Sequence, residues 1–148
     1  MSVKQLDHLN LTVRNFDESV DWYGRIFGFE KVEEDVQDGI RWGVLRAGEA
    51  LLCIYEYPDL EHIDRFESRK NGQHGINHFA LRITDAQDWI ATVEREGVTI
   101  NYSGEIDWPH SRSWYVNDPT GWEIEVVCWK EDRVQFEPLK ASVGGSKR

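Results

Sequence analysis

Two stretches of the chain alternate apolar and polar residues in the same phase. Leu9, Leu11 and Val13 are separated by Asn10 and Thr12, and Phe79, Leu81 and Ile83 by Ala80 and Arg82. A period of two predicts a half-buried strand in each case, with the apolar set on one face. Each stretch is entered by a polar residue and a histidine, Asp7-His8 and Asn77-His78, and both histidines fall on the polar face. The pattern then changes to helical spacing. Phe16, Val20, Tyr23 and Phe27 follow an Asn15 cap and stop at Gly28, and Ala86, Trp89, Ile90 and Val93 follow Asp85 and stop at Gly97. The spacing predicts helices over about 16–27 and 86–96. Extended stretches come next, near 30–36, 40–46 and 50–57 in the first half and near 98–102, 112–117 and 122–129 in the second. Turn-forming residues divide them, most clearly Asp118-Pro119-Thr120-Gly121.

The order strand, helix, strand, strand, strand therefore occurs twice. We expect an α+β fold of two βαβββ modules, about 5–57 and 76–129, forming a single domain over 1–129. A charged linker, 58–75, carries a short helical pattern around Ile63 and Phe66, and a polar tail, 130–148, is expected to fray. If each sheet buries its apolar face under its own helix, both polar faces are left to be covered. Mixed sheets curled toward each other would enclose a cup lined by His8 and His78.

Composition narrows the function classes. A hydrophobic share of 40% in 148 residues supplies a packed interior. No apolar run is long enough to span a bilayer, and residues 1–5 lack the basic-then-apolar order of a signal peptide, so no membrane association and a cytoplasmic address are expected. A net charge of −10 repels phosphate backbones, which argues against a nucleic-acid partner. Cys53 and Cys128 lie inside strand-like runs and read as buried free thiols rather than a disulfide.

Candidate chemistry comes from the strand 122–129, where Ile124 and Val126 face the helix side and Glu123 and Glu125 the cup. Two imidazoles and a carboxylate meeting in a sheet-lined cavity match the two-histidine, one-carboxylate arrangement that leaves coordination positions open. The same donors with a water also suit zinc. One histidine on a wet sheet face is ordinarily a surface residue, but a burial repeat does not by itself require histidine twice.

The segments Asp7 to Val13, Trp22-Tyr23-Gly24-Arg25-Ile26-Phe27-Gly28-Phe29, His78 to Leu81 and Ser113 to Glu125 together resemble the vicinal oxygen chelate superfamily, also called the glyoxalase, bleomycin-resistance and dioxygenase superfamily. The resemblance spans about residues 5–129. It implies a glyoxalase-like fold and one divalent metal ion (Fe, Mn, Ni, Co or Zn) held by His8, His78 and Glu125. It also implies a small-molecule substrate that chelates the metal through two oxygens, with glyoxalase-like lyase or isomerase chemistry or dioxygenase chemistry. Glu125 is the candidate catalytic residue, and Ser113 and Tyr115 are candidates for substrate binding. A fourth ligand, present in some members, would fall at Cys53 in this alignment, while Glu56 has the wrong strand parity. A non-catalytic, drug-sequestering protein with a vestigial site is the alternative. A homodimer is expected, because each small sheet exposes an edge at its second or sixth strand.

Overall fold

The computed structural model describes residues 2–138; the end of the expected tail, 139–148, lies outside the described residues. The first module runs β1 (Leu9–Val13), α1 (Phe16–Phe27), β2 (Glu30–Gln37), β3 (Ile40–Ala47) and β4 (Ala50–Glu56). A linker helix, α2 (Arg65–Lys70), leads to β5 (Phe79–Ile83), α3 (Ala86–Glu96), β6 (Ile106–Asp107), β7 (Ser111–Asn117) and β8 (Glu123–Trp129). Two four-stranded sheets result, ordered β1-β4-β3-β2 and β5-β8-β7-β6. In each, the first strand lies parallel to the last and the remaining pairs are antiparallel.

Local chemistry sets the helix ends. The Asn15 side chain accepts from Glu18 N at 2.8 Å, and Gly28 closes α1 in the left-handed region at φ 69°. Asp85 and Gly97 play the same parts for α3, with Asp85 Oδ1 accepting from Gln87 N and Asp88 N. Phe16, Tyr23 and Ile26 of α1 bury against Leu11, Val13, Leu45, Leu52 and Ile54 of the first sheet. The second sheet contributes Trp114, Val116, Ile124 and Val126 to the same core. The modules meet where Phe27 stacks on Trp89, ring centroids 5.6 Å apart.

The 118–121 turn ties the halves together. Asp118 Oδ1 accepts from the backbone N–H of Thr120, Gly121 and Trp122, while its Oδ2 accepts from the buried Tyr23 hydroxyl at 3.0 Å. Trp122 Nε1 donates to Thr12 O at 2.8 Å, and Arg14 N donates to Thr120 Oγ1 at 3.2 Å. This turn therefore fixes the start of β8, and with it Glu123 and Glu125, against the first module.

Three expectations are corrected. The alternation at Val98, Ile100 and Tyr102 does not make a strand. Val98 and Ile100 pack against the core, but Tyr102 and Ser103 take positive φ (57° and 68°), and the sixth strand is only the two-residue β6. Cys53 and Cys128 are free but only half-buried. The described part of the tail folds back, with Phe136 edge-on to Trp129 and Glu137 Oε1 2.9 Å from His110 Nε2.

Candidate functional site

β5 begins at Phe79, so His78 stands just before the ladder, on the face shared with Ala80 and Arg82. Ala80 and Tyr115 are the register partners of Glu125, from β5 and β7 on either side of it. Ala80 offers only a methyl group beside Glu125, and the His78 imidazole reaches across it. His78 Nε2 lies 3.2 Å from Glu125 Oε2. Ser113 Oγ donates to Glu125 Oε1 at 2.6 Å, so both carboxylate oxygens have partners. The Tyr115 ring meets the His78 ring edge-on, centroids 5.4 Å apart. Burial, followed by the Glu125 charge, pushes the Tyr115 hydroxyl up to about 12.

These contacts bring four of the expected residues together: His78, Glu125, Ser113 and Tyr115. Ser113 is fully buried, so its hydroxyl serves Glu125 rather than an open surface. His8 is not part of the group. Its ring is half exposed at the entry to β1, and its Nδ1 lies 2.8 Å from Asp7 Oδ2. Among the described residues, no three His, Cys, Asp or Glu side chains come close enough to hold a metal ion. The two histidines enter separate sheets, and the modules are tied through the Phe27–Trp89 stack and the 118–122 turn.

The His78 and Glu125 pair nevertheless suits a cation. A 3.2 Å separation is what two donors keep when each lies about 2.1 Å from a shared ion. The hydroxyl holding the outer carboxylate oxygen is the kind of supporting bond that orients a ligand. His78 Nδ1 is buried with no hydrogen-bond partner among the described residues, which leaves Nε2, facing Glu125, as the atom available for coordination.

The fourth-ligand candidates resolve differently. Glu56 lies on the helix side of β4, and its Oε1 accepts from Phe16 N, at the N-terminus of α1, at 2.7 Å. Cys53 does stand on the polar face, between Asn10 and Val44 in register. Burial pushes its thiol up, with Asp7 and Glu33 adding to the effect.

Sequence reasoning missed a neighbouring cluster. Glu123, on the same strand face as Glu125, is 7% exposed and receives a bond from the Tyr102 hydroxyl. Arg65 Nη2 of α2 reaches Glu123 Oε2 at 3.1 Å and the Tyr102 oxygen at 2.7 Å. Glu123 lies on the polar face of β8, as its parity required. Arg65 lies in the short helical pattern of the linker and Tyr102 at the end of the alternation over 98–102, and neither pattern says which distant side chain the residue meets.

The model of the Glyoxalase/Bleomycin resistance protein/Dioxygenase superfamily matches residues 5–126, most of the chain. The chain belongs to this superfamily. Solved structures agree in fold. A glyoxylase/bleomycin resistance protein/dioxygenase domain from Frankia sp. EAN1pec superposes with a TM-score of 0.73 at 17% identity, covering 89% of this chain and 96% of that one. A glyoxalase family protein from Enterococcus faecalis gives 0.69 at 18% identity, covering 84% and 97%. The fosfomycin resistance protein FosX from Listeria monocytogenes, solved with Mn(II) and sulfate, gives 0.63 at 18% identity, covering 90% and 100%. No curated protein sequence matches this chain. No helix among the described residues is long and apolar enough to cross a membrane.

Proposed function

We propose that this superfamily member is a divalent-metal-dependent enzyme acting on a small molecule that chelates the cation through two oxygens. In this reading His78 and Glu125 of one copy, with His8 of a second copy in a homodimer, hold the metal. The observation that carries it is the 3.2 Å approach of His78 Nε2 to Glu125 Oε2, with Ser113 fixing the carboxylate. The metal, when bound, supplies Lewis-acid stabilisation of charge developing on substrate oxygen.

The remaining steps belong to the chain's own side chains. Ser113 keeps Glu125 in one rotamer. Tyr115 stays protonated at neutral pH, so it can donate a hydrogen bond to a substrate oxygen but cannot act as a base. Glu56 is committed to the N-terminus of α1, which favours a three-ligand centre over a four-ligand isomerase centre.

A sequestering protein is the second reading. It is favoured by the apolar wall on the polar face of the first sheet, where Trp42 stacks on Tyr55 at 6.0 Å.

Metal content separates the two. After exposure to Fe, Mn, Ni, Co and Zn in turn, the wild-type protein is expected to retain one ion per chain. His8→Ala, His78→Ala and Glu125→Ala should each lose it while keeping the wild-type circular dichroism. Full occupancy in any one variant removes that residue from the set, and a wild-type protein that retains no metal leaves the sequestering reading. Co-expressed His8→Ala and Glu125→Ala subunits should recover metal in half the sites of the mixed dimer. No recovery would place all three ligands within one chain, and a monomeric mass in solution would end the dimer proposal.

A further inference from the structure

The linker helix α2 has no fully buried residue, so it contributes no side chain to the apolar core. Phe66, its one aromatic, is half exposed, with the Arg65 guanidinium 4.6 Å over its ring. Among the described residues, two side chains of the helix, Arg69 and Arg65, make polar contacts outside it. Arg69 Nη2 donates to Asn77 Oδ1 at 3.0 Å, but that bond stays within the segment leading to β5. Among the described residues only Arg65 makes a polar contact with the body of the second module, where it meets Glu123 and Tyr102.

The partners of Arg65 are unusually fixed for surface groups. Glu123 is a carboxylate at 7% exposure, and Asn101 Nδ2 also reaches its Oε1, at 3.3 Å. A buried carboxylate is stable only while it is paired, so Glu123 requires these donors. Tyr102 supplies its hydroxyl from a backbone at φ 57°, next to Ser103 at 68°, a conformation that non-glycine residues hold only when their surroundings impose it. The ring of Tyr102 in turn packs edge-on against Tyr115 at 5.3 Å, and Tyr115 packs on His78.

The cluster also divides space. A groove of about 940 Å³ runs under the linker, past His74, Asn77 and Trp122, and a smaller hollow of about 300 Å³ lies beside Tyr102 and Asn117. Asp64, Arg65, Gly121 and Glu123 line both.

We propose that Glu123 is neither a metal ligand nor a base. It is the anchor of a latch in which Arg65 and Tyr102 hold α2 in place as the outer wall of the groove, whose lining includes Asn77 and Glu123, close in sequence to His78 and Glu125. Arg65 and Tyr102 are then positioning residues that set the shape of the space a substrate enters. Only the role of the groove as a substrate entrance rests on the metal-enzyme reading. The latch itself stands on the contacts above.

Amide hydrogen exchange on the full chain tests it without any ligand. In Arg65→Ala and in Glu123→Gln, exchange over residues 65–70 should rise tenfold or more, with β5, β7 and β8 unchanged. The double variant should show the same rise as either single variant, because both break one latch. Arg82→Ala, which removes an exposed pair with Asp132, should leave residues 65–70 as in the wild type. Unchanged exchange in α2, a parallel rise across the strands, or a hundredfold rise in the double variant would each overturn the latch. If Arg65→Ala does not fold, Glu123→Gln carries the test, since the amide oxygen still accepts from Tyr102. Manganese retention measured on the same wild-type sample keeps the two proposals apart. Its absence sinks the metal reading and leaves the exchange result standing.

Discussion

Glu56 and Glu125 occupy the fourth strands of the two modules, and which face each one takes decides what it can do. Glu125 has the parity of the polar face and meets His78. Glu56 has the parity of Leu52 and Ile54 and turns to the first turn of α1, where unpaired N–H groups favour a carboxylate. Glu56→Gln is therefore expected to keep the wild-type metal content and to lower stability by about 1 kcal/mol, the usual worth of a charge-assisted hydrogen bond weakened to a neutral one. Equal loss of metal in Glu56→Gln and His78→Ala would restore a four-ligand centre. Tyr115 gives a pH signature. Its hydroxyl titrates at about 12 in the folded chain against about 10 for a free tyrosine. Because the folded value is the higher one, the stability from this group is fully present below about pH 10 and disappears as pH rises toward 12. Urea midpoints of the wild type should fall across that window, and those of Tyr115→Phe should fall less. The facing of His78, Ser113, Tyr115, Glu123 and Glu125 could be read from period-two alternation alone. The contacts of Arg65 and Tyr102 could not, because periodicity reports which face is buried and not which residue of another element lies opposite.

The elements follow the sequence wherever a cap or a turn coincides with a change of period. Asn15, Gly28, Asp85 and Gly97 bound α1 and α3 where the spacing predicts. Residues 98–102 fail because burial and hydrogen bonding part company there. Val98 and Ile100 satisfy the core, yet among the backbone groups of this stretch only Asn101 N reaches the neighbouring strand, donating to Tyr115 O at 2.8 Å. Side-chain alternation reports burial and is silent about ladder partners. Close packing produces a requirement of its own at Gly43 of β3. A Cβ there would lie 2.7 Å from Glu33 O and 2.8 Å from the Phe16 ring, and the first of these is backbone pinned in the β2 ladder. Gly43→Ala should cost about 2 kcal/mol through overpacking, seen as an earlier thermal midpoint with the metal content per folded chain unaltered. A midpoint within a degree of wild type would mean that β2 and α1 part more easily than their contacts indicate.

At the scale of the whole molecule, the repeat predicts two modules and the structure has two, but repetition says nothing about which polar face meets which. The ties across the modules, Tyr23 to Asp118 and Trp122 to Thr12, join sequence elements with no shared pattern. For that reason a cup containing both histidines, natural to expect from one chain, rests on the dimer proposed above. The outer strands bear on this too. β2 closes the first sheet with all eight residues exposed, and it carries Glu30, Glu33, Glu34 and Asp35 against the lone cation Lys31. Its register shifts between Lys31 and Glu33. A bulged, negatively charged edge discourages pairing with another such edge, so the proposed dimer is better sought through the polar sheet faces than through the strand edges.

That edge also makes the protein's colloidal behaviour depend on acid. The charges that keep one β2 from annealing to another are carboxylates. Lys31 and Arg41 hold the Glu34 carboxyl below the usual range, while among the described residues Glu30 and Glu33 have no basic partner. As pH falls through about 4, most of this repulsion is lost while the ladder groups of the strand stay bare. Light scattering should then rise at pH 4 and low salt, before circular dichroism reports any unfolding. Lysines placed at Glu30 and Glu33 should keep such solutions clear. Scattering that appears only after the fold is lost would mean that the edge is shielded by something other than its charge.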